Sequence, residues 1–177
     1  MRRATPAWRD RRGFGAVEFA LTLPVLLILI GGTFEVSRYI LLSIKLQHAA
    51  STIGDIATRE EGLTAATLDD LFSAVRQICQ PFDLATSGRV IVTSIALSGG
   101  AAKVQWRRGG AGSLAATSKV TTAADLPADI VAGNDETVVV TEIFYAYEPW
   151  LLGDVAATTL RRVAYYRPRF GALDTLG

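Results

Sequence analysis

Few residues of this chain have the type and spacing to do chemistry. It has one histidine, His48, and one cysteine, Cys79. A lone cysteine closes no internal disulfide, and with a single histidine it supplies no zinc ligand set. A Ser-His-Asp triad would have to use His48, and no G-x-S-x-G elbow is present to carry the serine. Asp69 and Asp70 are adjacent, so on a helix they point in different directions and form no acid/base pair. Gly109-Gly110-Ala111-Gly112-Ser113 lacks the G-x-x-x-x-G-K-[ST] order of a phosphate cradle and reads as loop. The expectation is a non-enzyme without cofactor, metal or small-molecule substrate.

The residue that calls for a functional account is Glu18. It is the single charge in Phe14–Phe34, FGAVEFALTLPVLLILIGGTF. About 20 apolar residues cross a bilayer, and an ionisable group within such a span is costly and marks function unless it reaches the interface. Residues 1–13 carry five arginines against Asp10, a net +4, and the remainder has 13 basic and 16 acidic residues, a net −3. A basic flank holds the N-terminus in the cytoplasm and sends the body outside. The mildly acidic body is unlike a nucleic-acid binder. Three readings of the apolar run compete: a secretory signal peptide, the core helix of a soluble protein, and a retained anchor. The residues after Ile30 offer no small-x-small cleavage site, and the basic flank argues against a core helix. Retention is the reading adopted.

The order Arg11-Arg12-Gly13-Phe14-Gly15-Ala16-Val17-Glu18-Phe19 resembles the leader of tight-adherence (Tad, Flp-type) pilins. The run to Pro24, the aliphatic block and Gly31-Gly32-Thr33-Phe34-Glu35-Val36-Ser37-Arg38 resemble the N-terminal block of TadE-like proteins. Phe144-Tyr145-Ala146-Tyr147-Glu148-Pro149 and Arg167-Pro168-Arg169 resemble later, weaker pieces of the family. This resemblance implies a minor pilin, of TadE or TadF type, in a type IV-related pilus. It implies cutting by a prepilin peptidase between Gly13 and Phe14, with partners among other Tad pilins and the inner-membrane assembly platform. Glu18 would then be the fifth mature residue, and the new Phe14 amine of one subunit could pair with Glu18 of another as a register device. The rival is a signal-anchored periplasmic binding module; a membrane-tethered enzyme is a third class.

These residues need elements to position them. Pro24 predicts a kink rather than a break, since membrane helices tolerate proline. Tyr39, Leu42, Leu46, Ala49, Ala50, Ile53 and Ile56 recur at helical spacing. They extend the anchor into a stem reaching Arg59, with His48 on the polar face and Gly54 a weak point. Thr67 with Asp70 predicts the start of a second helix, with Leu68, Leu71, Phe72, Val75, Ile78 and Cys79 as its apolar stripe and Pro81 as its stop. Cys79 reads as a buried small hydrophobe, and Glu60-Glu61 as a solvated helix end. Strands are expected at Arg89–Ser98, Lys103–Arg108 (Val104 and Trp106 on one face), Thr137–Tyr147 and Thr159–Tyr166, with 109–136 a surface loop. The expectation is an α+β chain: leader 1–13, transmembrane and stem helix 14–59, and a periplasmic domain 60–177. Its mainly antiparallel sheet of about four strands would bury one face on the stem.

Overall fold

The computed structural model describes residues 13–60, 62–99, 101–131, 136–151 and 157–177. The basic leader up to Arg12, and Glu61, lie outside the described residues. Helix α1 runs Phe14–Ala57 and passes through Pro24 without interruption. Its two halves have opposite surroundings. Residues 14–30 are exposed throughout, whereas Leu42, Leu46, Ala49, Ala50, Ile53 and Ala57 are completely buried. Burying a Leu or Ile side chain contributes about 1.5–3 kcal/mol. The three large ones therefore matter on the scale of a whole domain's net stability, about 5–15 kcal/mol. Of the predicted stripe, Tyr39 and Ile56 sit at its margins, 37% and 36% exposed, and His48 is exposed as its face required.

Gly54 is not a weak point. A Cβ there would lie 2.5 Å from Cδ2 of Tyr166, so the glycine is the notch that lets the sheet approach the helix. The second helix, α2 (Ala65–Ile78), starts earlier than predicted. Its cap is Thr64, whose hydroxyl accepts from the Thr67 N–H at 3.1 Å. Thr67 is thus the third helical residue, and the signature was read one turn late. Leu68, Phe72, Val75 and Cys79 are buried, with Leu71 and Ile78 packed at the edge. A single turn, α3 (Leu84–Ser87), is capped by Asp83, whose carboxylate accepts from the Ala85 N–H at 2.9 Å.

Strands β1 (Gly88–Ser98), β2 (Ala101–Gly110), β3 (Thr137–Tyr147) and β4 (Thr158–Tyr166) form one antiparallel sheet, in the order β2-β1-β3-β4. The fold is α+β. Gly109 and Gly110, expected in the loop, extend β2. Gly110 faces α2, where a Cβ would lie 2.3 Å from the Phe72 ring.

Val104 and Trp106 do not share a face. The β1–β2 register steps from Ser94↔Trp106 to Ile95↔Val104, leaving Gln105 as a bulge. One extra residue inverts the alternation. Trp106 therefore packs toward the helices, its indole N–H donating to the Leu173 carbonyl at 2.9 Å, while Val104 packs on the opposite side. That opposite side is itself a core. Ile95, Leu97, Val138 and Val140 are covered by Val120 and Leu126 from the 111–131 connection, which contains a 3-10 turn (Ala123–Asp125) and a short helix α4 (Ala128–Val131). The sheet is buried on both faces rather than the one expected.

Candidate assembly site along the stem

Residues 14–30 of α1 are exposed among the described residues. Phe14, Val17, Phe19, Leu21, Leu27, Ile28, Leu29 and Ile30 are each at least 60% exposed. Seventeen consecutive exposed and mostly apolar residues cannot rest in water. The helix is long and apolar enough to cross a membrane, which suggests an anchor. Gly13 caps the helix with its surroundings empty: a Cβ there would meet nothing within 4 Å. Glu18 follows one turn after Phe14. Among the described residues no ion pair involves it, and its main-chain carbonyl accepts from the Thr22 hydroxyl at 3.0 Å. The residues singled out as peptidase and assembly positions thus lie together at one end, well before Glu35, where the helix meets Tyr147 of β3.

The other end of the apolar run is built differently. Glu35 and Arg38, one turn apart, meet the segment that follows β3. The Glu35 carboxylate accepts from the Trp150 N–H at 2.9 Å, from the Leu151 N–H at 3.3 Å, and from the Tyr147 hydroxyl. The Tyr147 hydroxyl bond is the main reason the Glu35 carboxyl is held below the usual carboxylate range; the two backbone bonds and Arg38 act in the same direction. Burial, and then the neighbouring carboxylate, push the Tyr147 hydroxyl up to about 12. Arg38 Nη1 stands 3.5 Å from Glu35 without hydrogen-bond geometry. Its guanidinium lies 4.1 Å from the centre of the Trp150 ring, a cation–π contact. Phe34 packs against the same indole at 5.7 Å with the rings tilted by 42°, and Tyr39 meets Tyr147 edge-on at 5.5 Å.

The last family-like segment also fastens to the stem. Arg169 donates to Asp55 on α1 at 3.2 Å, and its N–H donates to the Thr58 carbonyl at 3.0 Å. Arg167 pairs with Glu136 at 3.0 Å. Three sequence blocks quoted separately above therefore meet on one helix.

Residues 13–54 match the family model of TadE-like proteins. The matched TadE-like segment opens on the glycine that caps α1 and closes on Gly54, the notch for Tyr166. It takes in the apolar run, the Glu35–Arg38 turn and most of the buried stripe. Association with Tad pilus components is what this family implies. No curated protein and no solved structure matches the chain significantly.

Sequence reasoning picked out Glu35 and Arg38 but not their partners Trp150 and Leu151. A signal was present: Pro149-Trp150-Leu151-Leu152 places large apolar residues directly after a strand-ending proline, where a solvated turn would carry polar ones. Glu142 was also passed over. It is fully buried on the loop side of the sheet, paired with Arg161 at 2.7 Å and accepting from the Lys119 N–H at 3.1 Å and the Ser118 hydroxyl. Its signal was one acid within an otherwise apolar strand. Among the described residues no group of three His, Cys, Asp or Glu side chains is placed to hold a metal ion. Cys79 is buried, and burial pushes its thiol up to about 11 against the opposing pull of Lys45.

Proposed function

We propose that this chain is a non-catalytic minor pilin of a Tad/Flp-type pilus. In this reading a prepilin peptidase removes residues 1–13 on the cytoplasmic face and leaves Phe14 as the mature N-terminus. Helix 14–59 stays in the inner membrane or joins a filament, and residues 60–177 stand in the periplasm. The observation that carries the reading is the coincidence of two boundaries at Gly13: the family match begins there and the arginine-rich segment ends there.

The chemistry of Glu18 supports the same reading. A carboxylate in an apolar span is costly unless a positive group joins it. The Phe14 amine released by cleavage is cationic near neutral pH, and axially offset helices present it to a neighbour's Glu18. A misaligned neighbour leaves both charges unpaired, so the pair selects register. The partners are then the peptidase, the other Tad pilins and the inner-membrane assembly platform.

N-terminal sequencing of the membrane-extracted protein tests the processing step. Phe14 as the first residue is the expected result; an intact N-terminus, or a start beyond residue 34, would refute it. Gly13→Lys should block the shift to the shorter form. Glu18→Gln should leave cleavage intact yet abolish association with the other pilins. Normal association of that variant would remove the register argument.

A further inference from the structure

We propose that the turn carrying Trp150 and Leu151 is a membrane foot, seated in the outer interface of the bilayer beside the chain's own helix. Two independent observations meet here. The first is the distribution of exposed apolar side chains. Outside α1, the large hydrophobic residues left exposed among the described residues are Trp150 (72%), Leu151 (60%) and Phe170 (56%). Two of the three are neighbours, and both touch the apolar half of α1. A Cβ on Gly31 would lie 2.8 Å from Leu151 Cδ1, and Phe34 packs on Trp150. Leu151 also walls a groove with Leu27, Ile28 and Gly32, a surface continuous with the lipid-facing helix.

The second observation is helix arithmetic. A hydrocarbon core of about 30 Å spans about 20 residues at 1.5 Å each. Counted from Phe14, the outer boundary falls at Phe34. A tilt of about 20° moves it by about one residue, to Glu35. Phe34 touches the Trp150 ring and Glu35 holds its backbone N–H. The indole therefore lies at the depth where tryptophan is favoured. Leu151 reaches back to Gly31, one turn deeper. Arg38 lies one turn farther out than Phe34, at headgroup level, and stacks on the indole from that side. The Glu35 carboxylate accepts from the N–H groups of Trp150 and Leu151, so these two donors enter a region poor in water already paired. Helix and foot together give the head two points of contact with the bilayer, which fixes its height and its rotation about the helix axis.

The inference rests on α1 spanning the bilayer, and the test separates the two. The full chain is placed at low density in phosphatidylcholine vesicles with bromine near either the headgroup end or the terminus of the acyl chains. Flotation with the vesicles reports the span. Subtracting the emission of Trp150→Phe, a change that keeps an aromatic ring, isolates Trp150 from Trp8 and Trp106. Shallow bromines should quench the Trp150 signal about twofold more than deep ones. A floating chain whose Trp150 is untouched by either lipid overturns this inference alone. A chain that does not float overturns it together with the span.

Discussion

Glu142 is where the stability of the head can be tested most directly. Its side chain is completely buried and binds Arg161 through both Nη2 at 2.7 Å and Nε at 2.8 Å. It also accepts from the Lys119 N–H and the Ser118 hydroxyl, which tie the 111–131 connection to the sheet. Glu142→Ala removes one acceptor from four donors. Breaking a buried pair by deleting one partner costs about 3–5 kcal/mol. Arg161 is 28% exposed and can turn its charge toward water, which lowers the figure to about 2–3 kcal/mol. Glu142→Gln fills the same space and keeps one carbonyl acceptor, so it should lose about 1 kcal/mol. At roughly 2–4 °C per kcal/mol for a chain of this size, the alanine variant melts about 4–12 °C lower. The assay is thermal unfolding of the full chain in detergent, followed by near-ultraviolet circular dichroism. Trypsin adds a local readout, since Lys119 loses its anchor and should be cut faster in native conditions. A variant melting within about 1 °C of the parent, or a glutamine change costlier than alanine, would refute the reasoning.

Other perturbations have equally definite outcomes. Gly54→Ile should cost about 2 kcal/mol or more, because overpacking against Tyr166 exceeds the roughly 0.5 kcal/mol gained in helix propensity; chemical denaturation checks it. Cys79 should resist maleimide at pH 8, where a thiol titrating at about 11 is roughly one part in a thousand thiolate, and should react once denatured. The Glu35 carboxyl is depressed in the folded state, so its contribution is present above the ordinary value of about 4.3 and is lost as pH falls through the depressed one. Acrylamide access to Trp150 should hold constant from neutrality downward and rise only below that ordinary value. Gly112→Ala should be among the most disruptive single changes in the head, because its Cβ would lie 2.1 Å from the backbone oxygen of Gly88, which cannot rotate away; expression and melting report it.

The stem and the second helix were legible because each repeats apolar residues at helical spacing, and the strands because they are β-branched or aromatic runs or, at Lys103–Arg108, an alternation. Leu42 through Ala57 and Val138 through Tyr147 need no tertiary information to be recognised. The errors share a cause: a local pattern met a neighbour that single-sequence reading does not contain. Trp106 changed sides through a bulge that depends on its pairing with β1. Gly54 and Gly110 look like breaks until Tyr166 and Phe72 are laid on them. The cover formed by 111–131 was hidden because Val120 and Leu126 stand apart in a stretch of mainly small residues, Ala, Ser and Thr. At the candidate site, the leader glycine, Glu18 and the Glu35/Arg38 pair were visible as spacing. Trp150 and Leu151 were not, since only folding brings them more than a hundred residues back to the helix.

Because α1 is unbroken from Phe14 to Ala57, the head has no swivel. The rod that carries the exposed apolar run is the same rod that fills the core, so shifting it by one turn, 5.4 Å, carries the sheet by the same distance. A pull on the exposed apolar end is felt at Leu42 and Ile53 without any slack to absorb it.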